Sequence, residues 1–380
     1  MHDGPVVVFS GGGTGGHLYP ALAVADALRE ERPDVRTVFV GAQRGIEARV
    51  LPERGEEHLL LPVQGVDRAH PLRSWRALTG LALALSRVGR LFSDLRPEAV
   101  VVTGGYAGAP AGITAGMTGV PLVLQEQNSV PGAVTKLLTR WATSIHVAFP
   151  DVIDRLPVGR ERTRVSGNPV RPVSSRGREV ARAALGIPSH APLVLVAGGS
   201  QGSLALNRVV SEAVRGVSGG SLERPGELHV LWSTGPKHID AVSSLLTECE
   251  SPGWVHAVAY IDDMPSALAA ADVAVCRAGA MSTAELLNQG LPSILVPFPY
   301  AAADHQMHNA RSLERAGVAV VAPESELTGA SLWSDIAGLL SSPDRLESMR
   351  HAALSLARPD AAREIARDVV SLISPAGEGA

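Results

Sequence analysis

The chain has 380 residues, 45% of them hydrophobic and 19% charged, with a formal net charge of −4. That length suits two domains with ordinary buried cores, and the mild negative charge gives no electrostatic reason for a nucleic-acid partner. Cys249 and Cys276 are its two cysteines and form no CxxC spacing, which argues against a zinc site or a disulfide framework.

The first apolar run is short and flows straight into glycines, so it does not read as a signal peptide. PVVVFS (5–10) is a strand, GGGTGGH (11–17) a turn and LYPALAVADALRE (18–30) a helix; RTVFVGA (36–42) is the next strand. Segment 71–95 starts at Pro71, suited to a first helical turn, and stops before Pro97. On a helical wheel Leu78, Leu81, Leu85, Val88, Phe92 and Leu95 share the face expected to pack on a sheet. Arg76, Leu83, Arg87 and Arg90 lie opposite, with Leu72 near the N-terminal end and Trp75 to one side. EAVVVTGG (98–105), PLVLQEQN (121–128) and SIHVAFP (144–150) continue the pattern. Continuous apolar runs alternating with helices predict a parallel sheet covered on both faces.

After GNPVRPV (167–173) the pattern restarts with APLVLVAGGSQGSLALNRVVSEAV (191–214). ELHVLWSTG (227–235), WVHAVAYI (254–261), ADVAVCRAG (271–279) and PSILVPFP (292–299) supply further strands. The fold class is therefore α/β, with two Rossmann-like domains expected to face each other across a cleft. The expected domains are 1–166 and 167–354, with a last amphipathic helix, about 355–373, returning to the first. The tail SPAGEGA is expected to be disordered. No stretch reaches about 18 uninterrupted apolar residues, so no membrane-spanning helix and a reduced, cytosolic protein are expected.

Backbone amides in a glycine turn that opens a helix can hold an anion. Gly11, Gly13 and Gly16 satisfy GxGxxG, yet a dinucleotide site also needs an acid at the end of the next strand, where Gly41 and Ala42 stand. A tight turn without a ligand is the competing reading. AGGSQGS (197–203) repeats the arrangement in the second half. In RAGAMSTAELLNQGLP (277–292), Ala280 to Thr283 would open a helix with Ser282 and Thr283 as caps, and Glu285 about one turn in could accept two ribose hydroxyls. The plainer role for Glu285 is to complement the helix dipole. Two anion sites suit a diphosphate donor and a phosphate-bearing acceptor. Asp262-Asp263 invites a metal reading, but IDDMPSAL looks like a strand-to-helix junction capped by Asp. Histidines 58, 70, 146, 190, 229, 238, 256, 308 and 351 show no paired spacing and are expected on surfaces or loops.

The strings GGTGGH (12–17), GGY (104–106), EQN (126–128), GNPVR (167–171), GGSQG (198–202), IDDM (261–264), CR-GA (276–280) and HQ–NA (305–310) occur in one order. In that order and spacing the chain resembles, over nearly its full length, the MurG family of UDP-N-acetylglucosamine–N-acetylmuramyl-(pentapeptide) pyrophosphoryl-undecaprenol N-acetylglucosaminyltransferases. The resemblance implies a GT-B fold and an inverting transfer of GlcNAc from UDP-GlcNAc to lipid I, forming lipid II. It implies donor contacts from Arg171, Ser200, Ile261, Ala280, Met281, Ser282, Thr283, Ala284, Glu285 and Gln306. Thr14, Gly15, Gly16 and Asn128 would lie near the sugar and acceptor. The family often has serine where Gly108 stands, and some members have glutamine where His305 stands.

Inversion needs a base for the acceptor hydroxyl and stabilisation of the leaving diphosphate. His17 is the candidate base, with orientation of the acceptor as its alternative role. Arg171, Ser200 and the 280–283 helix start would offset charge on UDP. No cofactor and no essential metal ligand are expected. Expected partners are UDP-GlcNAc, lipid I and an anionic membrane surface, with cell-wall synthesis proteins as further candidates. Rival readings are another UDP-sugar enzyme of this fold, namely a glycolipid glycosyltransferase or UDP-GlcNAc 2-epimerase, and a non-catalytic sugar-nucleotide-binding protein.

Overall fold

The computed structural model describes residues 4–63, 74–158, 160–170, 173, 176–199, 201–301 and 304–375, without the side chains of 74–79. Arg171, Ser200, His70, Leu72, the side chains of Trp75, Arg76 and Leu78, and most of the tail lie outside the described set. The chain divides into two compact units, Met1–Val170 with Pro359–Ala380, and Arg171–Arg358.

The first unit runs β1 (Val6–Ser10), α1 (Gly15–Glu31), β2 (Arg36–Ala42), α2 (Glu47–Glu53), β3 (His58–Leu61), α3 (Ser74–Leu95), β4 (Ala99–Val102), α4 (Gly108–Thr118), β5 (Leu122–Glu126), α5 (Ala133–Leu138), β6 (Ser144–Val147) and β7 (Thr163–Val165). Its strands form one parallel sheet in the order β3-β2-β1-β4-β5-β6-β7. Val7, Val8, Phe9 and Val100 to Val102 are buried, as strands covered on both faces require. The order reverses between β1 and β4, so the loops leaving these strands flank the switch point where ligands bind in such sheets.

The second unit repeats the plan with α6 (Arg178–Ala184), β8 (Leu193–Ala197), α7 (Leu204–Ser218), β9 (His229–Ser233), α8 (Ile239–Glu248), β10 (Val255–Val258), α9 (Met264–Ala270), β11 (Val273–Cys276), α10 (Ala280–Gln289), β12 (Ser293–Leu295), α11 (His305–Arg315), β13 (Ala319–Val321), α12 (Gly329–Leu340) and α13 (Pro343–Leu356). Its parallel sheet has the order β10-β9-β8-β11-β12-β13, which puts the switch point between β8 and β11. Helix α14 (Ala361–Val370) then returns to the first unit. Its Ile365, Ala366 and Val369 are buried in one core with Leu22, Ala25 and Leu28 of α1. Each large side chain so buried contributes about 1.5–3 kcal/mol.

In α3, Ala84, Val88 and Phe92 are buried, Leu81, Leu85 and Leu95 half-buried, and Leu83, Arg87 and Arg90 exposed. No helix among the described residues is long and apolar enough to cross a membrane. The histidine expectation needs correction at three positions. His146 is fully buried in β6, and His229 and His256 stack between neighbouring strands with their ring nitrogens 2.9 Å apart. Parallel pairing of β9 with β10 brings those two together across 27 residues of sequence, a relation that spacing cannot reveal.

Candidate active site

In the first unit the loop after β1 carries the candidate base. Thr14 is the exposed N-cap of α1, its side chain making no capping bond, and Gly15, Gly16 and His17 form the first turn. His17 Nδ1 lies 3.0 Å from the Thr103 carbonyl and 3.0 Å from Gln127 Oε1. A backbone carbonyl only accepts, so Nδ1 donates to it, and in the neutral imidazole Nε2 is then the acceptor. Gln127 is oriented for this: its Nε2 donates to the same carbonyl at 2.6 Å and to Gln125. The Thr103 hydroxyl donates to the His17 carbonyl at 2.6 Å. Gly104 and Gly105 have φ of +92° and +71°, and a Cβ on either would crowd the imidazole.

Asn128 follows on the same loop, half-buried, its amide donating to Glu126 Oε1 at 3.1 Å. Glu126 itself is buried and also accepts from the Gly132 amide at 2.9 Å and the Thr135 hydroxyl at 2.6 Å. Asn168 accepts from Gln125 at 3.0 Å and donates to the Gln127 carbonyl at 3.1 Å, so the GNP string braces the EQN string. The sequence singled out His17 and Asn128 but missed Gln127, whose Oε1 is a second acceptor beside the Thr103 carbonyl at His17 Nδ1.

On the first glycine loop the Gly13 amide is taken from within the chain, by Glu47 at the start of α2. This carboxylate is fully buried and accepts from the Gly13 amide at 2.9 and 3.1 Å and from the Ala42 amide at 2.8 Å. The negative charge at the Gly13 amide is thus supplied from within. The Tyr106 ring lies against Gly13; burial, and then the charge of Glu47, raise its hydroxyl pKa above the usual value.

In the second unit the α10 start differs from the expected cap arrangement. Gly279 is the N-cap, with no side-chain cap, because its extended backbone ends the link from β11 three residues earlier than Ser282. Thr283 lies inside the first turn and its hydroxyl donates back to the Gly279 and Ala280 carbonyls at 3.1 and 3.0 Å. As a glycine, this N-cap residue contributes no side chain to the helix N-terminus. Glu285 is the sixth helical residue and half-buried, beyond the first turn where a dipole role would place it. Burial, and then the Glu285 charge, push the Cys276 thiol up to about 12, so that cysteine is inert.

Arg277 was visible only as part of a string, yet it organises this site. It donates to the Ser203 hydroxyl at 2.7 Å and to the Val296 and Pro297 carbonyls at 3.2 Å each. It pairs with Glu324 at 2.6 Å and stacks over Phe298. Ser203 caps α7, so one guanidinium joins the second glycine loop to the loop after β12. Gln306 on α11 accepts from the Phe298 amide at 3.0 Å. Ile261 is buried, and Asp263 caps α9 by accepting from the Ser266 amide at 3.2 Å.

Two parallel Rossmann-like units, each with a glycine turn at its switch point, are the two halves of a GT-B fold. The glycosyltransferase family 28 N-terminal domain matches residues 7–147 and the family 28 C-terminal domain matches 193–365. A Salinibacter ruber protein named UDP-N-acetylglucosamine–N-acetylmuramyl-(pentapeptide) pyrophosphoryl-undecaprenol N-acetylglucosamine transferase is 42% identical over 369 residues, covering 97% of both chains. A protein of the same name from Chlorobaculum parvum is 39% identical, covering 96% of this chain and 99% of its own. The crystal structure of Acinetobacter baumannii MurG aligns with a TM-score of 0.75 at 26% identity, covering 97% of this chain and 100% of that one. The chain belongs to the MurG family of N-acetylglucosamine transferases.

Proposed function

We propose that the enzyme transfers GlcNAc from UDP-GlcNAc to the MurNAc 4-hydroxyl of lipid I, with inversion, giving lipid II and UDP. The observation that carries the mechanism is the contact of His17 Nδ1 with the Thr103 carbonyl, which in the neutral ring makes Nε2 the proton acceptor. The hydroxyl oxygen attacks the anomeric carbon, its proton passes to His17 Nε2, and the bond to the UDP oxygen breaks. Thr14, Gly15, Gly16 and Asn128 would position the sugar and acceptor. The α10 N-terminus, Ala280, Met281, Ser282, Thr283 and Ala284, would offset the charge that develops on UDP, together with Arg171 and Ser200. Glu285 would hold the ribose, and Ile261 and Gln306 would complete the donor site. An epimerase or a purely binding role is disfavoured, since relatives matched over nearly their full length are named as transferases.

The lipid-linked acceptor calls for a peripheral position on the inner face of the cell membrane. Helix α3 offers exposed Leu83, Arg87 and Arg90; α4, packed on α3, exposes Met117, and α5, packed on α4, exposes Lys136 and Leu137, with exposed Arg140 in the turn that follows it. Each basic side chain near an anionic surface is worth about 1 kcal/mol, and the apolar ones can insert shallowly. The test is turnover with a short-chain lipid I analogue and a panel of UDP-sugars, alongside co-sedimentation with anionic vesicles at low and high salt. Turnover with UDP-GlcNAc alone is expected; UDP-GlcNAc binding without any product would sink the reading.

A further inference from the structure

We propose that Glu47 is a built-in anion: it takes the Gly13 amide of the first glycine loop in place of a substrate phosphate and thereby acts as a positioning residue for His17. The carboxylate is fully buried, and three hydrogen-bond contacts fasten it to the Gly13 and Ala42 amides. Its space is built in. A Cβ on Gly12, Gly41 or Gly45 would come within 3.0 Å of the Glu47 side chain. None of these three glycines has a positive φ, so their backbone conformation does not call for glycine; the space taken by the carboxylate does.

Two consequences follow. A pyrophosphate cannot take the Gly13 amide while Glu47 holds it, and a second anion beside this one in a water-poor setting would be repelled. Pyrophosphate-bearing substrates must use other groups. The second consequence concerns the base. The Gly12 carbonyl stands where a Cβ on Gly105 would go, and Gly104 and Gly105 flank the His17 ring. Holding Gly13 in place therefore holds the wall against which the imidazole rests, and misplacing a base by about 1 Å can cost on the order of 10²-fold in rate. This second consequence rests on the transfer reaction proposed above; the first does not.

The experiment uses the full chain with Glu47→Ala and Glu47→Gln, judged folded by circular dichroism. In Glu47→Ala, kcat is expected to fall about 10²-fold with donor KM within about twofold. Formate or acetate should raise both its melting temperature and its kcat saturably, while the wild type responds to neither. Glu47→Gln keeps the shape but loses the charge and turns an N–H towards the Gly13 amide. Its kcat should fall about tenfold with no response to formate. Wild-type kcat in Glu47→Gln, or a folded Glu47→Ala whose melting temperature ignores formate, overturns the proposal. Should Glu47→Ala not fold, Glu47→Gln decides alone. A wild type that transfers nothing to lipid I would sink the reaction and leave the melting-temperature arm standing.

Discussion

The two glycine turns begin alike and end differently. Each leaves the first strand of its sheet in chain order, β1 or β8, at the switch point and runs into a helix. In the first unit the turn is filled by the Glu47 carboxylate and walled by the Tyr106 ring, and its helix presents the base. In the second, a Cβ on Gly199 would meet nothing within 4 Å, and the neighbouring helix α10 starts without a side-chain cap. One sequence motif thus serves two chemistries. Where an internal carboxylate satisfies the amides, the turn becomes a rigid mount for a proton acceptor. Where space remains, it is suited to a substrate's charge. The motif alone does not say which; the residue that enters the loop does.

The largest expected effect divides the two turns by function. His17→Ala should lower kcat about 10²–10⁴-fold while UDP affinity, proposed above to rest on residues of the second unit, changes less than about threefold. Gln127→Leu should show a milder form of the same split, since the Thr103 carbonyl still holds the Nδ1 proton. Equal losses of turnover and UDP binding in His17→Ala would erase the division of labour. Next comes Glu285→Ala. Each charge-assisted hydrogen bond is worth about 1.5–3 kcal/mol, so donor affinity should weaken on the order of 10–100-fold with kcat at saturating donor little changed. Unchanged donor affinity would return Glu285 to a helix-stabilising role.

A smaller, structural contrast sharpens the comparison further. Gly12→Ala drives a methyl into the Glu47 carboxylate, whereas Gly199→Ala meets open space and suffers only its φ of +91°. The first should lower the melting temperature by several degrees more than the second, whose cost is about 1 kcal/mol. Equal melting temperatures would mean that the first loop yields easily and that Glu47 is not a rigid plug.

Much of this was legible in the sequence. Continuous Val- and Leu-rich runs ending in glycine mark buried parallel strands, and two such series mark two sheets. The return of the last helix followed from its amphipathic face. Glu47 escaped notice because an acid at a helix start, five residues after a strand, looks like an ordinary dipole partner. Its signal was the set of glycines at 12, 41 and 45, which no turn requires. Ser282 and Thr283 looked like caps because the residue types suit that role; where the strand-to-helix link ends is set by backbone geometry that composition does not encode. Gln127, Arg277 and the buried His146 depend on partners 24 to 222 residues away.

The weakest expected effect on catalysis lies away from both turns, where α14 is fastened to the first sheet. Asp368 accepts from the Ser144 hydroxyl, from His146 Nε2 at 3.1 Å and from Arg164 at 2.7 Å. Burial works against its charge, but the hydrogen bonds from His146 and Ser144, with the charges of His146 and Arg164, outweigh it and bring the carboxyl down to about 2. A folded pKa below the unfolded value of about 3.9 stabilises the native state by about 2 kcal/mol above that value. The contribution is complete at about pH 5 and above, and is lost as pH falls through 4 towards 2. Asp368→Asn should therefore lower the melting temperature of the first unit by about 4–8 °C at pH 7, and the gap to the wild type should close as pH drops to about 2. Transfer at 25 °C should be unchanged, because both glycine turns keep their own supports. A gap of equal size at pH 7 and pH 2 would show that Asp368 acts through shape and not through charge. A loss of kcat at 25 °C would show that the base is held in place by α14 as well as by Glu47.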